Sequence, residues 1–306
     1  MSSIKVSVAI LTYNQENSIR EAIESVLSQQ VNFNVEVIVV NDGSTDNSDA
    51  VIKELAVLSP QIVYVHHKEN LGIRSSVIEV SKILKGEYVA VLDGDDLWCY
   101  PHKLQTQIDF LDNNAEYEGC FHDTAIQNMV KNGNSYFAAH KYYSQRYSYE
   151  NDFFFPDIVD RISIISSSSS VMRARRLKKL NMSILDDNLS IDWKLKVLII
   201  LDDKFKYFNE VWSVYRNHDG GISKSNKVKF HLSHIRFLRQ LLEKEWFKNR
   251  QYDIYRAISS EYRVLLTIKE SNETIDKQKL FPQYLKSEFA RLWYFRKRFL
   301  GSNTKQ

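Results

Sequence analysis

Three carboxylates crowd the end of one apolar run: Tyr88 to Leu92 gives way to Asp93-Gly94-Asp95-Asp96. At a strand end they would gather three negative charges in one place, and without a cation they would repel. Hard oxygen ligands concentrated in this way suit Mg²⁺ or Mn²⁺, ions that keep positions open for the oxygens of a bound diphosphate. A metal-diphosphate site is one reading of the tetrapeptide; an acidic turn that caps the next helix is the other. Five consecutive serines, Ser166 to Ser170, also offer polar groups. Such a run more often records tolerated small residues, and no histidine pairing with it can be inferred.

The elements that must position the carboxylates lie upstream. Lys5 to Leu11 reads as a short buried strand, and Ile19, Ala22, Ile23, Val26 and Leu27 follow at helical spacing. Val35 to Val40 is a second strand; Asp42-Gly43-Ser44-Thr45-Asp46 supplies turn and cap chemistry, and Val51, Ile52 and Leu55 share a helical face. Ile62 to Val65 makes a third strand, Gly72 to Leu84 a third helix and Tyr88 to Leu92 a fourth strand, and Pro101 starts a helix carrying Leu104, Ile108 and Leu111. This alternation predicts an α/β fold with a mostly parallel sheet wound on both faces, whose ligands bind beyond the carboxyl ends of the strands. The polar clusters sit at those ends. From about Ala125 to Asp160 the pattern turns irregular and rich in tyrosine and phenylalanine. Ile164 to Met172 then reads as a strand and Leu189 to Leu201 as a helix. Amphipathic helices follow Asn226, with Leu232, Ile235, Leu238, Leu241 and Leu242 on one face.

Composition bounds the possibilities. The 306 residues are 43% hydrophobic and 26% charged, as in ordinary globular proteins, and contain no internal repeat. The first glycine is Gly43, so the turn after the first strand cannot carry the glycine-rich cradle of a dinucleotide-binding or P-loop protein. The glycine-rich, arginine-containing loop of a sugar-nucleotide pyrophosphorylase is missing there too. Met1 to Lys5 lacks the pattern of a signal peptide, and no run approaches the roughly 18 apolar residues of a membrane span. Cys99 and Cys120 are too few for a disulfide framework and read as reduced, buried thiols of a cytoplasmic protein. The net charge of +3 hides an asymmetry: 23 basic against 30 acidic residues through Asn226, then 18 against 8 beyond it.

Four separated motifs carry a resemblance to a known family. They are Val8-Ala9-Ile10-Leu11-Thr12-Tyr13-Asn14, Val39-Val40-Asn41-Asp42-Gly43-Ser44-Thr45-Asp46, Leu92-Asp93-Gly94-Asp95-Asp96, and Ser190-Ile191-Asp192-Trp193. The chain resembles an inverting family-2 glycosyltransferase of the GT-A fold, in the branch that builds bacterial surface polysaccharides. The likeness covers roughly residues 4 to 226 and is strongest over the first 120. It implies a metal-dependent hexosyltransferase that moves a sugar from a nucleotide diphosphate, usually uridine diphosphate, to an acceptor hydroxyl, in O-antigen, capsule or exopolysaccharide assembly.

By the same likeness, Thr12, Tyr13 and Asn14 contact the nucleotide, Asp42 accepts a hydrogen bond from the base, and Asp93 and Asp96 lie near ribose and metal-bound water. Asp95 is the metal ligand, and Asp192 is the catalytic base. Tyr215-Arg216-Asn217-His218, followed by Gly220-Gly221-Ile222-Ser223, is similar to a late loop whose histidine, here His218, completes the shell of Mn²⁺ or Mg²⁺. Two positions depart from the family pattern. Ile191 stands where many relatives have an acidic residue, leaving Asp186 or Asp187 as possible substitutes. Arg74 follows Asn70-Leu71-Gly72 nearer the turn than the family's arginine. Trp98 and Trp193 are candidates for sugar stacking or for the core.

The resemblance leads to a division into a nucleotide-sugar half at 1–125, an acceptor and catalytic half at 126–226, and a basic helical region at 227–306. Tyr284 to Leu300 interleaves Leu285, Phe289, Leu292, Trp293, Phe295 and Phe299 with lysines and arginines. That composition suits an anionic membrane surface rather than nucleic acid, and would bring a peripheral enzyme to a lipid-linked saccharide acceptor at the inner leaflet. An amphipathic helix packed on the catalytic domain is the alternative for this segment. For the whole chain, the alternative is a non-catalytic binding or assembly protein that keeps the nucleotide pocket.

Overall fold

The computed structural model describes residues 3–129, 135–146, 152–162, 164–201, 203–218, 227–268 and 276–300. In chain order the elements are β1 (Val6–Thr12), α1 (Ile19–Leu27), β2 (Val35–Asn41), α2 (Ser48–Leu58), β3 (Ile62–His66), α3 (Ile73–Ile83), β4 (Tyr88–Asp93), β5 (Leu97–Trp98) and α4 (Lys103–Asn113). There follow β6 (Tyr117–Met129), β7 (Ser135–Tyr142), β8 (Asp152–Phe153), α5 (Phe155–Asp160), β9 (Val171–Arg173), α6 (Ala174–Leu177), α7 (Ile191–Ile200), β10 (Lys204–Asn217), α8 (Lys227–Leu242), α9 (Gln251–Thr267) and α10 (Lys277–Phe295). They divide between two compact units. One takes Met1–Phe154, Ser163–Met182 and Leu198–Asp219; the other takes Phe155–Ile162, Ser183–Val197 and Gly220–Gln306. Phe155–Ile162 and Ser183–Val197 thus fall in one unit with the chain from Gly220 onward.

The first unit is built on one sheet of order β3-β2-β1-β4-β9-β6-β10-β5, with β7 added on β6 and β8 on β10. Its first four strands are parallel, as alternating β and α elements require. Beyond them β9 runs antiparallel to both β4 and β6, while β10 is parallel to β6. Strand β1 is apolar on both faces because both are covered. Ile19, Ile23 and Val26 of α1, Ile52 and Leu55 of α2, and Leu104, Ile108 and Leu111 of α4 share one cluster with Val6, Val8, Ile10, Val37, Val39, Ala90 and Leu92. These alternating strand positions point to a single face. Burying each large aliphatic side chain there is worth about 1.5–3 kcal/mol.

Two stretches differ from the sequence reading. Ile164 to Met172 is not one strand: Ser167–Ser169 form a 3₁₀ turn, and the strand is confined to Val171–Arg173. The serine hydroxyls explain the turn, because Ser169 Oγ donates to the Ser166 carbonyl at 2.8 Å and Ser166 and Ser168 pair at 2.9 Å, local bonds that compete with a ladder. The region that looked irregular after Ala125 opens with the last five residues of β6, Ala125–Met129, a strand whose preceding His122, Asp123 and Thr124 are buried. Thr124 Oγ1 is paired across the fold with Ser213 Oγ at 2.9 Å and Asp123 with the Ser144 hydroxyl at 2.5 Å, while His122 meets the Asp123 carbonyl through Nδ1 at 2.7 Å and leaves Nε2 without a partner among the described residues.

In the second unit α9 packs between α8 and α10, and α5 lies on α9. Ile235, Leu238 and Leu241 of α8 are buried at the expected spacing, whereas Leu232 is exposed.

Candidate functional site

The strand ends of the first unit gather most of the residues singled out by sequence. Parallel register sets Thr12 beside Asn41 and Leu11 beside Asp93. The turn after β4 is held close to β1 by a bond from the Gly94 N–H to the Leu11 carbonyl at 2.9 Å. Only glycine fits there: a Cβ on Gly94 would stand 2.4 Å from Gln15 Oε1 and 2.9 Å from Thr12 Oγ1. Gly43 is required for a second reason, since its φ of +71° is combined with the Glu69 backbone 2.3 Å from any added Cβ.

Asn14, at φ +52°, is one of the few residue types that adopt this conformation readily. Its side-chain oxygen accepts from the Thr45 N–H at 2.8 Å and its own N–H donates to Ser44 Oγ at 2.9 Å, tying the end of β1 to the turn after β2. Tyr13 beside it is exposed. Asp42 is buried and pins a third loop: it accepts from the Leu71 and Gly72 amides at 3.0 and 2.8 Å and meets His67 Nδ1 at 2.8 Å. Arg74 rises from that loop in the first turn of α3.

Strand β5 explains how distant residues join this cluster. It pairs antiparallel with β10, Trp98 opposite Ser213 and Leu97 opposite Val214, so the residues just before β5 face those that end β10. Asp96 Oδ1 accepts from the Arg216 N–H at 3.1 Å, and Asp95 Oδ2 lies 2.8 Å from His218 Nε2. The Arg216 guanidinium reaches the Asp95 carbonyl at 3.4 Å and the Glu21 carboxylate. Arg216 and Glu21 were not singled out from sequence, although Arg216 stood inside a quoted motif; its role depends on a strand pairing that no local pattern announces.

Asp96 is only 1% exposed, and its Oδ2 has no hydrogen-bond partner among the described residues; nor have the buried Thr12 Oγ1 and Gln15 Oε1. Burial, reinforced by the charges of Asp93 and Asp95, pushes the Asp96 carboxyl well above its usual range, against the opposing pull of the Arg216 amide and Ser168. An orphaned carboxylate oxygen beside two further carboxylates and an imidazole is a donor set that fits Mn²⁺ or Mg²⁺. Gly220 to Ser223, which follow His218 in the motif, lie outside the described residues.

Asp192 belongs to the second unit, in the first turn of α7, half-exposed and paired with Lys196 at 3.3 Å. Ile191 is buried. Asp186 and Asp187, considered as substitutes for the acidic residue missing there, are engaged elsewhere: Asp186 with Arg236 at 2.5 Å, and Asp187 with Lys194 at 2.7 Å and Ser233 at 2.5 Å. Burial works against the charge on Asp187, but the bonds from Lys194 and Ser233 outweigh it and bring the carboxyl down to about 2. The same burial lowers Lys194, which is more deeply enclosed than its partner, so the desolvation penalty falls mainly on the lysine.

The two tryptophans left open between sugar stacking and the core are both buried. Trp98 is buried with its Nε1 donating to the Ser168 carbonyl at 2.7 Å, and Lys103 Nζ sits 4.0 Å from the ring centroid. Trp193 is buried with its Nε1 on the Ile158 carbonyl at 2.7 Å and its ring against His234 and Phe237. Both cysteines are free, but only Cys120 is buried; Cys99 is exposed, because its neighbour Trp98 takes the inward position of the short strand.

Comparison with known proteins places this geometry. An uncharacterized protein of Mycobacterium bovis is 30% identical over 218 residues, 71% of this chain and 60% of its own length. The match thus spans under two thirds of that relative. An uncharacterized glycosyltransferase of Methanocaldococcus jannaschii is 28% identical over 255 residues, covering 81% of this chain and 83% of that protein. Among solved structures, S. aureus TarS 1–349 in complex with UDP-GlcNAc superposes with a TM-score of 0.66 at 17% identity, over 94% of this chain and 81% of that one. A mannosyltransferase from Pyrobaculum calidifontis in complex with GDP-Man and Mn²⁺ gives a TM-score of 0.55 at 15% identity, over 98% and 86%. Those two likenesses establish the fold. Residues 7–179 match the family model described as Glycosyl transferase family 2, and the chain belongs to that family.

Proposed function

We propose that the chain transfers a sugar from a nucleotide diphosphate donor, a uridine diphosphate sugar, to the hydroxyl of a saccharide acceptor, with inversion, in surface-polysaccharide assembly. The observation that carries this reading is the meeting of Asp95 and His218, 123 residues apart in sequence, next to Asp96, whose buried Oδ2 has no hydrogen-bond partner among the described residues. The fold neighbours support the donor class, being described with UDP-GlcNAc and with GDP-Man and Mn²⁺.

In this reading Thr12, Tyr13, Asn14 and Asp42 hold the nucleoside, with Arg74 beside them, and Asp93 and Asp96 lie toward the ribose and the metal's water. Mn²⁺ or Mg²⁺ held by Asp95 and His218 supplies positive charge for the departing diphosphate. Asp192 takes the acceptor's proton as the hydroxyl oxygen bonds to the anomeric carbon from the face opposite the nucleotide, and the bond from that carbon to the diphosphate breaks. Single displacement inverts the sugar.

A lipid-linked acceptor is part of the proposal. Phe281, Leu285, Phe289, Leu292 and Trp293 of α10 are exposed together, near Lys286, Arg296 and Lys297, while the opposite side of the helix packs on α9 through Ser287 and Tyr294. This bifacial helix supports peripheral attachment to an anionic inner leaflet.

The test is a thermal-shift screen of uridine and guanosine diphosphate sugars with and without Mn²⁺, on the wild type and Asp95→Ala. Stabilisation that needs both one donor and Mn²⁺, and disappears in the variant, is the expected result. No shift with any donor would sink the reading; binding without transfer or donor hydrolysis would leave a non-catalytic sugar-nucleotide protein.

A further inference from the structure

We infer that His231, His234 and Glu261 form a second metal site, of the zinc class, that clamps α8 to α9 within the second unit. The two histidines stand three residues apart on α8, a spacing that turns both rings to one side of the helix, and Glu261 reaches them from α9. His231 Nδ1 lies 2.7 Å and His234 Nδ1 3.3 Å from the same carboxylate oxygen, Glu261 Oε2. The ligand atoms all fall within 4.8 Å of one another. Bonds of about 2.0–2.2 Å in a tetrahedral shell set neighbouring donor atoms roughly 3.3 Å apart. The His234 side already has that separation, and the His231 side needs to widen by about 0.6 Å.

The surroundings are those of a prepared ligand. The His234 side chain is 0% exposed, Glu261 9% and His231 18%, so the site is closed from inside and reachable along the His231 edge, where water can supply a fourth ligand. His234 turns Nδ1 to the carboxylate because its other nitrogen, Nε2, is held by Ser190 Oγ at 2.9 Å, the outer hydrogen bond that orients metal-binding imidazoles. The rings of Phe230 and Trp193, with centroids at 4.3 and 4.8 Å, pack against the same imidazole. Two nitrogens and one oxygen suit zinc or its neighbours in the series rather than Mg²⁺ or Ca²⁺. The role is positional: the ion fastens α8 to α9, and through Ser190 it steadies the residue before α7, two positions ahead of Asp192.

The experiment uses the full chain carrying Asp95→Ala and His218→Ala, which removes the carboxylate-histidine pair of the proposed donor site and makes the result independent of the donor reading. Chelator-treated protein is titrated with Co²⁺, whose visible bands report tetrahedral nitrogen and oxygen coordination, and then with Zn²⁺. One equivalent of Co²⁺ should produce the bands, Zn²⁺ should displace it, and adding either His231→Ala or Glu261→Gln should abolish them. His231 is partly exposed, so its variant is expected to fold, which circular dichroism checks. A folded chain that gives no tetrahedral bands, or bands that survive His231→Ala, would overturn the site and leave a hydrogen-bonded histidine-glutamate cluster.

Discussion

In the proposed mechanism Asp192 and Gly94 make opposite kinds of contribution, and substitution separates them. A general base contributes ~10²–10⁴ in rate, so Asp192→Asn should lower kcat by that factor while the donor-induced thermal shift stays as in the wild type. Unchanged turnover in a single-time-point and a full kinetic assay would remove Asp192 from the mechanism. Gly94→Ala introduces a Cβ where Gln15 Oε1 and Thr12 already stand. Overpacking of this kind costs about 1–3 kcal/mol, and because the two strand ends must part, the Mn²⁺-dependent donor shift should shrink along with the urea midpoint. The sequence made Asp95 and His218 legible through motifs far apart in the chain, and the fold closes them to 2.8 Å. It could not show which way a tryptophan faces: Trp98 and Trp193 have the right chemistry for stacking on sugar, yet their rings and Nε1 groups are taken up by the protein.

At the scale of elements, apolar periodicity gave α1 to α4 because each lays one stripe on the sheet, and it failed where polar residues are buried with partners, as in β6. The fourteen-residue strand β10 escaped for another reason: register shifts between Phe208 and Val211 and between Val211 and Ser213 break its alternation. Helix α4 carries the sharpest electrostatic consequence. Its Lys103 is wholly buried with Gln107 Oε1 at 2.8 Å, and burial, only partly offset by Cys120, lowers its ammonium to about 7 from 10.5. Between those values the unfolded chain binds the proton and the folded chain does not, so this group makes stability rise with pH from about 7 to about 10, and its penalty is complete below 7. Lys103→Met should therefore unfold at higher temperature at pH 6–7, by an amount that fades toward pH 10. A variant that tracks the wild type across that range would show that the buried amine is compensated by contacts other than these.

For the molecule as a whole, net charge is the wrong descriptor. The chain beyond Asn226 carries 18 basic and 8 acidic residues, and the part before it 23 and 30, so a total of +3 conceals a basic end on an acidic body. No helix among the described residues is long and apolar enough to cross a membrane, and the membrane role proposed for α10 is attachment from one side. Basic residues near an anionic surface contribute about 1 kcal/mol each, and that attraction decays within a Debye length, about 10 Å at 0.1 M salt and 3 Å at 1 M. The apolar stripe of α10 adds a part that salt does not screen. The protein should therefore sediment with vesicles containing phosphatidylglycerol at 0.1 M salt, much less with pure phosphatidylcholine, and only partly at 1 M. Phe289→Glu with Trp293→Glu, both exposed in the folded chain, should remove the salt-resistant fraction without changing the unfolding temperature by more than a few degrees. If the double variant binds as the wild type does, the aromatic face is not the contact, and the basic charge of the tail attracts anions without seating this helix in lipid.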